Sequence, residues 1–563
     1  LGDVYKRQKV RLDGISDKDY EHAQNVYSTF KCKDFGDYHW LYLKTDVLLL
    51  ADVFESFRKM SIAHYKLDPA NYLTAASLAW DAALLQTKIE LELITDQEVL
   101  TMIEKSKRGG LTFVGAKRYA KANNKQMGKD NYDPKIESSY ITYVDANNLY
   151  GWAMVQSLPY KDIKFVPCHP TSGTSSTWCP TSGTISEPDP ATLRSRTANP
   201  PTLETSCPGT FRTSCPETFR TIPYSATLRT VSDSNPATLQ TVWSETFLST
   251  ILQTADDATT GYFAEVDIEF PPEIHGILKQ FPPCPETLKP DPSWFSDYQR
   301  EVMEKTAANT NTEKLIPHLF KHENYVLHYR VLKFVHSLGA KITLKRAISF
   351  TQSAWLAPYI HRNNQLRTEA KAAGDEFLTS FFKLMNNSVF GKTMEDVRNR
   401  ENMHLTIDRD NAIKWFSKIE FKHANFVDGL YLIQTHKTAT LYDKPVYVGC
   451  AILDVSKLRM LDFHYNTIEA NLKGKYDLLY SDTDSLVYHI RMKNLNKWFL
   501  DNEEEFDLSE MTGKFRSDKN TNVLGKFKSE VGSKIITEFV ALSPKSYCYK
   551  YLQNLTANYW SRL

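Results

Sequence analysis

Two acids one residue apart, Asp482 and Asp484, lie in the run Tyr480-Ser481-Asp482-Thr483-Asp484-Ser485. An apolar stretch precedes them (Tyr476, Leu478, Leu479) and another follows (Leu486, Val487, Tyr488). That pattern predicts strand, tight turn, strand, with the carboxylates at the tip. A rigid tip of this kind suits a hard divalent cation, which takes oxygen ligands. Asp and Ser are also common turn formers, so the run alone reads as well as a plain turn. A further acid, Asp145, ends the β-prone run Ile141-Thr142-Tyr143-Val144 and leads into Ala146-Asn147-Asn148-Leu149-Tyr150-Gly151. Asp145 beside Asp484 would form a carboxylate pair able to hold two Mg²⁺ about 3.5–4 Å apart, the arrangement for in-line phosphoryl transfer. The plainer alternative is a strand that stops at an Asn-capped turn.

Between these acids runs Phe381-Phe382-Lys383-Leu384-Met385-Asn386-Asn387-Ser388-Val389-Phe390-Gly391-Lys392-Thr393. From about Glu376 it reads as helix, and Lys383, Asn387 and Phe390 at i, i+4 and i+7 share one face. A cation, an amide and a ring on one face fit a nucleotide, the ammonium on phosphate and the ring on base or sugar. The competing reading is an amphipathic helix with Phe381, Leu384 and Met385 in a core and the lysine solvated. Gly391-Lys392-Thr393 resembles the end of a phosphate-binding loop, but the glycine which that motif needs at position 386 is Asn386.

Taken in order, DANNLYG, KLMNNSVFG and YSDTDS resemble motifs A, B and C of family B DNA polymerases. They are most similar to the protein-primed branch of viruses, linear plasmids and large self-replicating transposons. Lys545-Ser546-Tyr547 resembles the K-x-Y motif that contacts the primer strand. Arg108-Gly109-Gly110 resembles the Y-x-G-G linker motif, and Tyr42-Leu43-Lys44-Thr45-Asp46 the Y-x-x-x-D motif of the proofreading exonuclease. The matches cover about 12–165 and 262–550.

The resemblance implies that Asp145 and Asp484 are the principal metal ligands, with Asp482 the third metal-binding acid at the primer end. It makes Tyr150 the steric gate against a ribose 2′-OH. Lys383 would neutralise the incoming triphosphate. Asn387, Phe390 and Gly391 would line the nascent base pair, and Lys545, Tyr547, Tyr480, Arg108, Gly109 and Gly110 would contact DNA. The cofactor is Mg²⁺, with Mn²⁺ as an alternative. The partners are a DNA primer and template, dNTPs and a terminal priming protein. The sequence departs from the family at Gly151, where Pro is usual, at Asn148 for Ser, at Phe390 for Tyr, and at Lys107 for the linker Tyr.

The implied fold is α+β: a right hand with an antiparallel-sheet palm and helical fingers, preceded by the C-terminal part of a ribonuclease H-like exonuclease domain. Residues 1–11 read as an unstructured leader foreign to the fold, 12–105 as the partial exonuclease domain, and 106–166 as linker and first palm segment. Residues 167–260 shift to Ser, Thr and Pro with a degenerate T-[LF] repeat and no fixed period, which predicts disorder. Residues 261–313 are assigned to a palm or insertion segment, 314–400 to fingers, 401–550 to palm, and 551–563 to the start of a thumb or a tail. No D-x-E precedes Tyr42, so Tyr42 and Asp46 are expected to be an exonuclease remnant that does not proofread.

Composition is permissive. At 563 residues with 42% hydrophobic content, the chain is long enough for two to four cored domains. A net charge of +1 does not mark a nucleic-acid binder. Locally, however, Lys314, Lys321, Arg330, Lys333, Lys341, Lys345 and Arg346 cluster with only Glu323 as an acid among them, suggesting a phosphate-tracking surface or a solvated face. Eight cysteines without a C-x-x-C pair indicate no zinc site and no disulfide framework. No apolar run approaches membrane-spanning length. An intracellular nuclear, viral or organellar setting follows from the resemblance. Two other readings remain: a decayed copy that binds nucleic acid without turnover, and a D-x-D nucleotide-sugar transferase.

Overall fold

The computed structural model describes residues 16–129, 131–167, 236–306, 312–553 and 557–561. The expected leader at 1–11 lies outside them. The chain divides into two units, Leu1–Phe165 with Ile251–Leu563, and Val166–Thr250.

In the larger unit the runs flanking the paired acids do become strands. Tyr476–Asp482 and Ser485–Arg491 form an antiparallel hairpin, and Ser139–Ala146 pairs antiparallel with its second strand. Both faces of Ser139–Ala146 and Ser485–Arg491 are buried, which explains their near-continuous apolar sequence in place of an alternating one. These strands occupy the middle of a ten-stranded sheet. Every pairing in it is antiparallel except Phe506–Asp507 with Phe527–Ser529.

The Val446–Asp462 helix is buried along nearly its whole length. It shares one core with the helices Ala357–Ala372 and Glu376–Thr393 and the short helix Leu149–Met154. The first two form a helical hairpin turning at Gly374, whose φ of +72° glycine accepts at no steric cost. Asp375 caps the second helix by accepting from Leu378 N at 2.8 Å. A buried bond from Asn363 Nδ2 to Asn386 Oδ1 at 3.0 Å fixes their relative rotation.

Several expected boundaries are corrected. In the first part of the segment assigned to helical fingers, Lys314–Ile316 and His322–His328 are strands, and up to Gly339 only Tyr329–Ser337 is helical. Helical periodicity holds over Tyr329, Val331, Leu332 and Val335, which face the core, whereas His322–His328 pairs with Thr260–Glu269. That pair, with Lys341–Ser353 and Leu158–Phe165, makes a second, four-stranded antiparallel sheet. So 314–353 is mostly strand around the one helix Tyr329–Ser337, and the two long helices Ala357–Ala372 and Glu376–Thr393 follow it.

Within the segment expected to be palm, the three strands of residues 402–435 form a separate small sheet. The segment 551–563 adds an edge strand to the main sheet, Ala557–Ser561 against Tyr549–Gln553. Within the expected disordered stretch 167–260, the structure describes a helix at Pro236–Gln253. There the Ser/Thr/Pro composition gives way to Leu239, Val242, Trp243, Phe247, Leu248 and Ile251. Residues 168–235 lie outside the described set.

The basic cluster is largely neutralised within the fold. Lys321 pairs with Glu323 at 2.8 Å, Arg330 and Lys333 with Asp256 at 2.9 and 2.8 Å, Lys345 with Asp267 at 2.9 Å, and Arg346 with Glu265 at 2.6 Å. Four of these five pairs use acids distant in sequence, so the local charge count missed them.

Residues 16–105 hold helices and no strand among the described residues. Tyr42 and Asp46 sit one turn apart on the 31-residue helix Phe35–Tyr65, both exposed. No described helix is long and apolar enough to cross a membrane.

Candidate active site

The turn between the hairpin strands consists of Thr483 and Asp484, since Asp482 pairs directly with Ser485. Thr483 has φ +60°, a conformation a β-branched residue rarely adopts. Such strain persists where surroundings over-determine it. Here Thr483 N donates to Leu111 O at 2.8 Å. Gly110 lies so close that a Cβ there would fall 2.5 Å from Thr483 Oγ1. Gly110 thus supports the acidic turn by close approach, whereas Gly109 is exposed with open space around it.

On the neighbouring strand Asp145 lies opposite Ser485, and Ala146 N donates to Asp484 O at 2.8 Å. This register brings Asp145 and Asp484 to one end of the sheet. They line a cleft of about 270 Å³ together with Tyr150, Lys383 and Asn387, as the sequence pattern anticipated. Burial is the first cause of a large shift at Asp145, whose carboxyl is pushed up to about 8, with Asp484 and Glu530 adding repulsion and Lys383 and Lys528 opposing it. Burial likewise raises Asp484, with Asp482 and Glu530 contributing. Two buried acids raised in this way lack positive charge, which is the chemistry a divalent oxygen-ligated cation relieves. The residues therefore fit Mg²⁺ or Mn²⁺.

Asp482 is directed elsewhere. It accepts from Thr112 Oγ1 at 2.8 Å and is ion-paired with Lys545 Nζ. The third carboxylate in the cleft is Glu530, which the sequence reading missed, because it lies 46 residues past Asp484 in a strand-end loop with no motif around it. Glu530 is placed by its own N–H, which donates to Tyr143 O at 2.9 Å. Also missed were Asn364, Arg367 and Lys371, which line the same cleft from the Ala357–Ala372 helix. Their i, i+3, i+7 spacing was a readable signal, obscured by the many other polar residues of that helix.

Tyr150 starts the short helix after the Asp145 strand and stacks on Phe390, with ring centroids 4.5 Å apart and planes 10° apart. Asn148 caps this helix with φ +43°, accepting from Gly151 N at 3.1 Å. A Cβ at Gly151 would lie 2.4 Å from Asn148 Nδ2. The two departures at 148 and 151 thus form one coupled cap. Gly391 is exposed and is not among the described residues lining the cleft, and Lys392 is paired with Glu395 at 2.7 Å.

Of the expected DNA contacts, Lys545 is exposed at the site edge, with its N–H donating to Tyr480 OH at 2.9 Å. Tyr480 itself is fully buried, and Tyr547 is 9% exposed. Tyr547 packs on Tyr480 at 4.7 Å and shares a hydrogen bond with Tyr143 at 3.0 Å. These rings buttress the hairpin from below and do not present a surface to DNA. Arg108 is also buried: it lies 3.8 Å over the Tyr325 ring and donates to Lys105 O at 3.0 Å and to Val326 O. It anchors the linker to the second sheet.

Residues 244–470 match the family model of DNA polymerase type B, organellar and viral. The matched segment contains the Lys383 helix, while the strand bearing Asp145 and the hairpin whose turn carries Asp484 flank it. The structure is also similar to Phi29 DNA polymerase in an orthorhombic crystal form, with TM-score 0.46, 11% identity, and coverage of 94% of this chain and 66% of that one. Against Phi29 DNA polymerase complexed with primer-template DNA the values are 0.45, 11%, 93% and 62%. With primer-template DNA and incoming nucleotide they are 0.41, 11%, 85% and 56%. The chain thus spans less than two thirds of the length of these polymerases. No curated protein sequence matches it.

Proposed function

We propose that the chain is a DNA-directed DNA polymerase that adds dNTPs to a primer 3′-OH, or to a protein hydroxyl. The reading rests on one arrangement: Lys383 and Asn387 meet Asp145 and Asp484 around a single cleft. Divalent cations held by Asp145 and Asp484, Mg²⁺ or Mn²⁺, would supply nucleophile activation and charge for departing pyrophosphate. Lys383, with Arg367 and Lys371 beside it, binds and orients the triphosphate and spreads its developing charge. Tyr150, braced by Phe390, excludes a 2′-hydroxyl at the sugar position. Asn387 and Phe390 face the base pair. Lys545 holds Asp482 at the primer edge and supplies positive charge there. The setting proposed is intracellular replication of a virus or mobile element, with a terminal protein as primer.

The Asp482–Lys545 ion pair favours one second reading, because it engages one of the three motif acids. On that reading the chain binds primed DNA without turnover. A D-x-D sugar transferase fits less well, since Asp482 and Asp484 do not both line the cleft. The discriminating experiment is single-nucleotide addition on four templates that differ in the first unpaired base. Incorporation that follows the template base supports the polymerase. Binding without incorporation supports the second reading, and sugar transfer from a nucleotide donor supports the third.

A further inference from the structure

Away from the cleft, Glu286, His318 and His322 bring one carboxylate and two imidazoles together, with one ligand atom from each within 4.8 Å of the others. Glu286 Oε2 lies 3.1 Å from His322 Nδ1 and 3.3 Å from His318 Nε2. Zinc bonds to nitrogen and oxygen of about 2.0–2.1 Å in a tetrahedron place neighbouring ligand atoms roughly 3.3 Å apart, so both separations from the carboxylate match. His322 is fully buried and His318 is 8% exposed. Neither nitrogen of His318 has a hydrogen-bond partner, nor does His322 Nε2. Buried imidazole nitrogens left unpaired are costly, and one aimed at a carboxylate already shared with a second imidazole is the geometry of a ligand set. The backbone supplies the three residues from ordered elements. Glu286 begins a strand paired with Lys314–Ile316, His318 follows that partner strand, and His322 opens the next.

We propose that Glu286, His318 and His322 form a Zn²⁺ site, with water as the fourth ligand. Two imidazoles and a carboxylate are ligands that zinc accepts, whereas Mg²⁺ prefers all-oxygen sets. Zinc there would fasten the Glu286–Leu288/Lys314–Ile316 hairpin to the edge of the four-stranded sheet. The edge strand bears the Arg108 anchor: Tyr325 OH donates to Pro285 O at 2.9 Å, and its ring carries the Arg108 guanidinium. Arg108 in turn leads to Gly110 beneath the acidic turn. The site therefore stiffens the platform under the catalytic hairpin without touching substrate. It is independent of the polymerase assignment.

The test is zinc content by elemental mass spectrometry of the full chain after zinc loading and dialysis, with Mg²⁺ in excess to occupy the cleft acids. Wild type should hold one equivalent more than His318→Ala, His322→Ala or the double variant. Glu286→Gln should bind at least about tenfold more weakly. The cysteines at 168, 179, 207 and 215 are common to every variant and set the same background. Should the alanine variants fail to fold, His318→Cys decides the matter. It retains a zinc ligand, so it should keep the metal and, loaded with Co²⁺, show a thiolate-to-cobalt absorption band absent from wild type. Equal zinc in wild type and the double variant, or no cobalt–thiolate band in a folded His318→Cys chain, would overturn the proposal.

Discussion

At the scale of single residues, the cleft is organised by charge in conflict with burial. In the folded chain without metal, burial pushes the Asp145 carboxyl up to about 8, against about 4 for an unfolded carboxyl. Between those values the native state binds the extra proton, so stability falls as pH rises from about 4 to about 8. Asp145→Asn removes that term. Without metal, its melting temperature should exceed that of wild type at pH 8 and approach it near pH 4, the difference at pH 8 amounting to a few kcal/mol at most. Scanning calorimetry in chelator at both pH values checks this. A variant no more stable than wild type at pH 8 would show that Asp145 is not under electrostatic strain. The gate offers a second check. Tyr150→Ala opens the sugar position, and the ratio of dNTP to rNTP incorporation should fall by roughly tenfold to a hundredfold. An unchanged ratio would move the discrimination to another residue.

At the scale of elements, the acidic turn is held by its neighbours. A Cβ at Gly110 meets Thr483, whereas one at Gly109 meets nothing. Gly110→Ala should therefore lower kcat at least about tenfold with little change in nucleotide KM, while Gly109→Ala should be near neutral. Steady-state kinetics of the pair tests whether the linker positions the hairpin or merely connects domains. Arg367→Ala and Lys371→Ala, on the other side of the cleft, should instead raise nucleotide KM. The sequence made the hairpin, the Asp145 strand and the Lys383 helix legible, because buried strands and a polar face at helical spacing leave periodic marks. It did not reveal that Arg108, Tyr480 and Tyr547 are supports under the site, since motif position says nothing about burial. Nor did it reveal Glu530, whose placement depends on a backbone bond to Tyr143.

At the scale of the whole molecule, the ten-stranded sheet, the short Leu149–Met154 helix and a helical hairpin converge on one cleft, and every described residue lining it comes from the larger unit. Excising residues 168–235 should thus leave nucleotide addition and melting temperature unchanged, and a loss of activity would assign that stretch a role. Segment identity was the least legible level. The stretch 314–353 looked like basic fingers because its neutralising acids, Asp256, Glu265 and Asp267, lie far off in sequence. The start of the Pro236–Gln253 helix was hidden by a Ser/Thr/Pro bias that shifts only gradually to apolar residues.

The most direct measurement of the central claim is primer extension on a primed DNA template with Mg²⁺ and dNTPs, comparing the chain with Asp484→Asn. Extension by wild type that drops at least about a thousandfold in the variant, with DNA binding retained, is the expected result. Equal extension by both would contradict the placement of the active site, and binding without extension by either would contradict the polymerase itself.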